Sequence, residues 1–455
     1  MSRALRLGIA LALILCPAIA WAHAHLKRSE PTGGSRLTGS PQAIRLWFTE
    51  RPELSMTAVL VRDSTGREFA LAQLVSDSAD PLLVSAPVSQ PLPPGRYTVA
   101  WRTAASDGHP SHGTFSFVVL AKGSGHVVGA VDTIGLGAAP TASSTASESQ
   151  EESGSASSLS NSLARTLSFV GLLVLIGACV FRTLVLPRVN GIKADLRFRM
   201  ERRAALLGLT ASVLVIIGAL ARIHLESEMM NAMPGMQAMG MMDMAMHTGW
   251  GSALRLEIEA SLLAVVSFAL AARRLRGAWL VATLLAIGLA ITPALAGHAA
   301  ASPKFTSLMI GTDFLHVLGG ASWLGTLLAV MCVGVPLCLT CDGDERWSAV
   351  ASLVNAFSPI ALVSAAVVVA SGAIASWVHL ARLSALWQTT YGQVLLVKLV
   401  LVAITLTIGA YNFRRVQPQL NKEIGSIRLS RSTAIELSFG FLILLVTGFL
   451  TGIST

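Results

Sequence analysis

From Leu167 to Leu186 the chain reads LSFVGLLVLIGACVFRTLVL, twenty residues with one charged side chain, Arg182. About twenty apolar residues are what an α-helix needs to cross a hydrocarbon layer of roughly 30 Å. In water such a helix would have no polar face to turn outward. The run therefore assigns this part of the chain to a membrane. Similar runs recur near 204–223, 251–272, 278–297, 309–334, 350–378, 392–412 and 434–453. The expectation for residues 161–455 is an all-α polytopic bundle of about eight helices.

Composition agrees with that assignment. The 455 residues are 53% hydrophobic and only 13% charged. Too little polar material is present to cover that much apolar surface in water, which excludes a disordered chain and an ordinary soluble enzyme. The net charge of +9 does not mark a nucleic-acid partner, because the basic residues sit beside the apolar runs. Arg188, Lys193, Arg197, Arg199, Arg202 and Arg203 follow the first run, Arg273, Arg274 and Arg276 the third, and Arg414, Arg415 and Lys422 the seventh. The alternate loops hold little beyond Lys304 and Arg382. The positive-inside rule then places the basic loops in the cytoplasm and both the N-terminal region and the C-terminus outside. The acidic loop with Asp342, Asp344 and Glu345, where Arg346 is the one cation, contributes least to this orientation.

Upstream, residues 1–22 read as an export signal: Arg3 and Arg6, the apolar stretch Leu7 to Cys16, then Ala20-Trp21-Ala22. Cleavage after Ala22 would make His23 the first residue, with its amine and ring nitrogen available to one metal ion. Residues 23–120 differ from the rest. Short β-branched or aromatic runs at Ala43–Phe48, Met56–Val61, Leu82–Ser85 and Tyr97–Arg102 alternate with Pro, Gly, Asp and Ser clusters, the pattern of an all-β sandwich. Its expected core includes Trp47, Phe48, Trp101, Phe115 and Phe117. The cysteines Cys16, Cys179, Cys332, Cys338 and Cys341 all fall outside this region, so it is no disulfide scaffold. No nucleophile with a paired base is visible, and the protein is not expected to be an enzyme.

The stretch Ser106 to Phe117, SDGHPSHGTFSF, crowds Asp107, His109 and His112 into a Gly/Pro turn. With His23 and His25 these supply imidazole nitrogens and a carboxylate, a tetragonal N,O donor set that favours Cu(II). The start HAHLKRSEP, the later LWFTE and the run YTVAWRTAASDGHPSHGTFSFVV closely resemble the periplasmic copper-binding protein family CopC. That resemblance spans nearly all of residues 23–120. It implies a Greek-key sandwich that binds Cu(II) through His23, Asp107 and His109, with Glu50 of the FTE position as an added ligand and His25 and His112 as orienting groups. The methionine-rich Cu(I) loop of some members has no counterpart, since the region holds only Met56.

Residues 121–160, rich in Gly, Ala, Ser and Thr, read as a flexible tether. Between the second and third apolar runs, nine of the chain's fourteen methionines fall within residues 229–246: Met229, Met230, Met233, Met236, Met239, Met241, Met242, Met244 and Met246, followed by His247. Thioethers are soft, uncharged ligands suited to Cu(I) in an oxidising compartment. In the fifth run Met309, Asp313 and His316 are spaced to share one helix face. Ionisable groups within a span commonly mark an ion path. His224, His298 and His379 end other runs on the same outer side.

The segments TPALAGH (292–298), DFLHVLGGASWLG (313–325) and YGQVLLVK (391–398) and the terminal helix with Glu436 are similar to the copper-resistance protein family CopD. That resemblance implies copper handling at a bacterial inner membrane, with uptake toward the cytoplasm. The implied partners are the copper ion, the bilayer, and a periplasmic copper donor or reductase. Cys338 and Cys341 (CLTC) would suit Cu(I) on exit, although such spacing also arises by chance. No ATP-binding or phosphorylation motif is visible, so transport would be passive or driven by trapping. The rival readings are a b-type haem redox protein using His298, His316 and His379, and a binding module that sequesters copper without moving it.

Overall fold

The computed structural model describes residues 26–77, 79–104, 110–121, 145–231, 241–301, 305–379, 383–420 and 423–452. The N-terminal part is a two-sheet sandwich. One sheet orders β1 (Leu26–Glu30), β3 (Ala43–Phe48), β7 (Leu83–Pro87) and β6 (Val75–Ser76). The other orders β2 (Arg36–Leu37), β9 (Pro110–Val119), β8 (Gly95–Ala104), β4 (Ala58–Asp63) and β5 (Glu68–Phe69). The connections from β3 to β4 and from β7 to β8 cross between sheets, as in a Greek key.

Alternation along the strands fills the space between the sheets. Ile44, Leu46 and Phe48 of β3 are fully buried, as are Val61 of β4, Val84 of β7 and Val99 of β8. Phe48 meets Trp101 edge to face at 5.3 Å. Across β8 and β9 Trp101 stands opposite Gly113, where a Cβ would come within 2.8 Å of the indole. Only glycine leaves room for that ring. Trp47 does not join this core: it is half-buried, donates its indole N–H to Asp80 at 3.1 Å and lies under the Arg28 guanidinium. It points to the opposite face from Leu46 and Phe48 because side chains alternate along a strand. Met56 belongs to a short helical turn, Leu54–Met56, ahead of β4.

The remainder is helical: α1 (Thr145–Val180), α2 (Ala194–Asn231), α3 (Met241–His247), α4 (Gly249–Ala272), α5 (Ala278–Leu289), α6 (Thr306–Gly320), α7 (Glu345–His379), α8 (Thr390–Tyr411) and α9 (Glu423–Leu450). Among the described residues seven helical spans are long and apolar enough to cross a membrane, Leu159–Arg188, Ala194–Glu228, Ala278–Leu295, Thr306–Cys338, Glu345–Val378, Thr390–Gln419 and Ile427–Leu450. The chain is a multi-pass membrane protein. The eighth expected run is α4, equally long, but Arg255, Glu257 and Glu259 crowd its first half. Residues 145–160, which composition reads as tether, form the first turns of α1. Their Ala, Ser and Glu content tolerates a helix once the apolar part has nucleated one.

Small residues set the closest helix approaches. At Gly177 of α1 a Cβ would lie only 2.1 Å from the carbonyl carbon of Gly325, so α1 and the π-helical turn Ala321–Gly325 that continues α6 touch backbone to backbone. One buried ion pair joins three helices. Arg165 of α1 lies 3.6 Å from Glu226 of α2 and donates to the Thr451 carbonyl just beyond α9 at 2.8 Å. Asn161 donates to the same carboxylate at 3.3 Å.

Candidate functional site

The sandwich packs against the helices. Met56 and Ala104, 1% and 0% exposed, share one apolar cluster with Ala219 and Ile223 of α2, Trp250, Ala253 and Leu254 of α4, and Ala296. Glu53 closes the contact, its Oε2 accepting from the Gly249 backbone N–H at 3.4 Å, the first residue of α4. The seat is built from within the sandwich: Glu53 N–H donates to the Ala104 carbonyl at 2.8 Å, and the Thr57 and Thr103 hydroxyls meet at 2.7 Å. Ala104 is the last residue of β8, paired with Pro110 at the start of β9. Asp107 and His109 fall between those two strand ends in the chain.

His23, His25, Asp107 and His109 themselves lie outside the described residues, as do Met233, Met236 and Met239. Glu50 is half-buried in the bend after β3. His112 is exposed on β9 opposite Arg102 of β8. Met241, Met242, Met244, Met246 and His247 share α3, one residue ahead of the helix-capping Thr248 of α4. Met242 and Met246 are exposed. The Met246 sulfur accepts from Arg255 at 2.9 Å, and His247 Nδ1 stands 3.3 Å from the Asp243 carbonyl oxygen. The exposed thioethers thus lie in the segment directly preceding the helix on which the sandwich rests.

Deeper in the bundle, α6 carries the expected trio. Met309 is fully buried, among Ala294, Ala299, Ile310, Ala375 and Val378. Asp313 and His316 are half-buried on the same helix. His316 Nδ1 lies 3.0 Å from Ser371 Oγ on α7, and the Ser371 hydroxyl donates to the Val367 carbonyl at 2.6 Å. The Ser371 hydroxyl has one hydrogen and three acceptors within reach, His316 Nδ1 and the Val367 and Val368 carbonyls, so it can hold the imidazole against α7 in either tautomer. An added Cβ at Gly372 would stand 3.4 Å from the His316 ring, so α7 approaches the imidazole closely there. Lys398 of α8 is within electrostatic reach of both His316 and Asp313, and Tyr391 of Asp313.

Among the described residues no three His, Cys, Asp or Glu side chains gather closely enough to close a metal site. The donor set on α6 is one thioether, one carboxylate and one imidazole. That set suits transient passage of a soft ion better than tight storage. Cys338 is buried in the largest apolar cluster, with Cys341 partly buried against it. Lys398, Ser371, Arg165, Glu226 and the Glu257 carboxylate that accepts from Thr292 at 3.1 Å were not singled out as site residues in the sequence. For Lys398 and Glu257 the signal there is a charge inside an apolar run, and for Arg165 and Glu226 a charge at the edge of one, whereas Ser371 carries no such signal.

Comparison with known proteins follows the same division. Residues 26–120 match the family model described as CopC domain, residues 156–304 that of the copper resistance protein D-like N-terminal domain, and residues 351–450 that of copper resistance protein D. The copper transport protein CutJ of Bacillus subtilis (strain 168) is 24% identical over 450 residues, covering 97% of this chain and 76% of that protein. Copper resistance protein C of Escherichia coli is 35% identical over 107 residues, 22% of this chain and 83% of that protein. The crystal structure of CopC from Methylosinus trichosporium OB3b aligns at 24% identity, covering 23% of this chain and all of that one, with a TM-score of 0.21.

Proposed function

The chain belongs to the copper resistance families CopC and CopD, joined in one polypeptide, and from that premise we propose that it captures copper outside a bacterial inner membrane and passes it inward through the bundle. The sandwich takes Cu(II) at the amine and ring of His23, at Asp107 and at His109, with Glu50 nearby in sequence to the strand that precedes the docking turn. A reductase or copper donor outside supplies the change to Cu(I), which the thioethers of residues 229–246 and His247 accept. The α6 face with Met309, Asp313 and His316 then leads the ion into the membrane. The sandwich and the C-terminus are extracytoplasmic in this reading.

The observation that carries it is the seat of Met56 and Ala104 on Trp250. It joins the strand end next to the family's copper motif to the helix that follows the methionine-rich segment, so capture and uptake occur in one docked arrangement. Copper is cargo here, and loose, exchangeable donors suit cargo. The test is uptake of radioactive copper by proteoliposomes holding the full chain. Time-dependent accumulation that is lost in a His316→Ala variant supports the reading. Binding without movement across the bilayer would leave only sequestration.

A further inference from the structure

The outer trio is not the last polar station along α6. Met309, Asp313, His316 and Gly320 recur at steps of three and four residues and so lie on one face of α6, and Trp323 follows in the π-helical turn that continues it. From Asp313 to Trp323 this face descends about 15 Å at the rise of an α-helix. At Gly320, between His316 and Trp323, a Cβ would meet nothing within 4 Å. The face ends near a carboxylate: the Trp323 ring and Glu436 of α9 both stand within 4 Å of where a Cβ at Gly409 would lie, and Glu436 is 3% exposed.

The surroundings of Glu436 are neutral and rich in acceptors. Asn412, in the π-helical turn after α8, donates its Nδ2 to Glu436 Oε2 at 2.9 Å. The other carboxylate oxygen faces bare backbone, since a Cβ at Gly409 would lie 3.4 Å from Oε1. Thr433, one turn before Glu436 and fully buried, has no hydrogen-bond partner for its Oγ1 among the described residues, and neither has Asn412 Oδ1. No ion pair reaches Glu436 among the described residues. Arg431 on α9 and Arg414 in the turn after α8 are exposed, Arg182 after α1 pairs with Glu201 at 3.1 Å, and α7 carries its charges, Glu345 and Arg346, at its first turn. This contrasts with Glu226, which has Arg165 beside it.

We propose that Glu436, with Asn412 and Thr433, forms a proton-binding station inside the bundle. A carboxyl group enclosed by neutral partners, with unsatisfied oxygens around it, is incomplete without a positive charge. Every lone-pair atom the station offers a cation, Glu436 Oε1 and Oε2, Asn412 Oδ1 and Thr433 Oγ1, is an oxygen, which is a poor match for a soft ion such as Cu(I) and a good one for a proton. The step is a simple exchange: Glu436 carboxylic acid releases H+ to water entering along the α6 face and takes it back. The proton site stands whether or not copper crosses the membrane.

Infrared difference spectroscopy of the reconstituted full-length chain, titrated with acid and base in the absence of copper, tests it. With Glu257→Gln in every chain, so that the buried carboxyl bonded to Thr292 adds no band, the C=O stretching band of a buried protonated carboxyl should titrate with Glu436 in place and in Asp313→Asn, and should vanish in Glu436→Gln, which keeps the size and hydrogen-bonding edge of the side chain. Asn412→Ala leaves the carboxyl in place and should move the titration midpoint of the same band by removing one donor. A band that survives Glu436→Gln, that vanishes instead in Asp313→Asn, or that responds to sodium at constant pH would overturn the assignment, as would an unmoved midpoint in Asn412→Ala.

Discussion

His316 Nδ1 and Ser371 Oγ stand 3.0 Å apart across the contact between α6 and α7. The contact ties the imidazole ring to α7. A residue on a different helix thereby holds the histidine ring in place.

Removing that anchor should weaken the station without disturbing the fold. Groups that hold a metal-ligating histidine typically contribute about 10–100-fold in metal affinity. Ser371→Ala is expected to lower Cu(I) affinity of the bundle by that order, read by competition titration against a chelator. Unchanged affinity would mean that His316 is not a ligand.

The docked arrangement predicts a separation of two properties in Trp250→Ala. Truncating a buried aromatic costs roughly 3–5 kcal/mol where the site cannot collapse, and Trp250 is 1% exposed at the seat of the sandwich. Hydrogen exchange over Leu54–Met56 and the end of β8 should quicken and copper uptake should fall. Cu(II) affinity of the sandwich should stay as it was, because Trp250 belongs to α4 and not to the proposed Cu(II) ligand set. Equal loss of both would show that Trp250 acts on the sandwich fold and not on docking.

Gly113→Ala is expected to destabilise the sandwich by about 1–3 kcal/mol, the usual cost of overpacking, since the new methyl group would meet the Trp101 ring at 2.8 Å. Thermal unfolding followed by indole fluorescence reports it. A companion Trp101→Phe change should recover part of the loss, and no recovery would point to backbone strain at position 113 as the cause.

The pair Arg165 and Glu226 calls for a double-mutant cycle. Arg165→Met leaves a buried carboxylate without its cation, which typically costs about 3–5 kcal/mol. Arg165→Met with Glu226→Gln should be much closer to the native chain, because neither charge then remains. Additive losses in detergent-solubilised thermal unfolding would show that the two residues act separately.

The resemblance to CopC and CopD, carried by short runs such as SDGHPSHGTFSF and YGQVLLVK, is matched by the family models over residues 26–120, 156–304 and 351–450. The strands at 43–48 and 97–102 and the long apolar runs were legible for a local reason: period-two alternation and unbroken hydrophobicity are properties of neighbours in the chain. Trp47 was not, because its aromatic character is the same whether it faces the core or, as here, Arg28. The first turns of α1 were hidden by a composition that a linker and a helix share.

What the chain's order of residues determined by itself is the division into an exported β unit and a membrane bundle, together with the supply of nitrogen, sulfur and carboxylate donors on named segments. Those follow from hydropathy and residue chemistry, which do not depend on distant partners. Only the tertiary structure decided that the sandwich rests on Trp250, that Ser371 holds the His316 ring, and that Glu436 meets Trp323 and Asn412. Each of these joins residues dozens or hundreds of positions apart, and such contacts are chosen by the packing of helices and sheets in space, where small side chains such as Gly177 and Gly325 permit an approach that no local pattern announces.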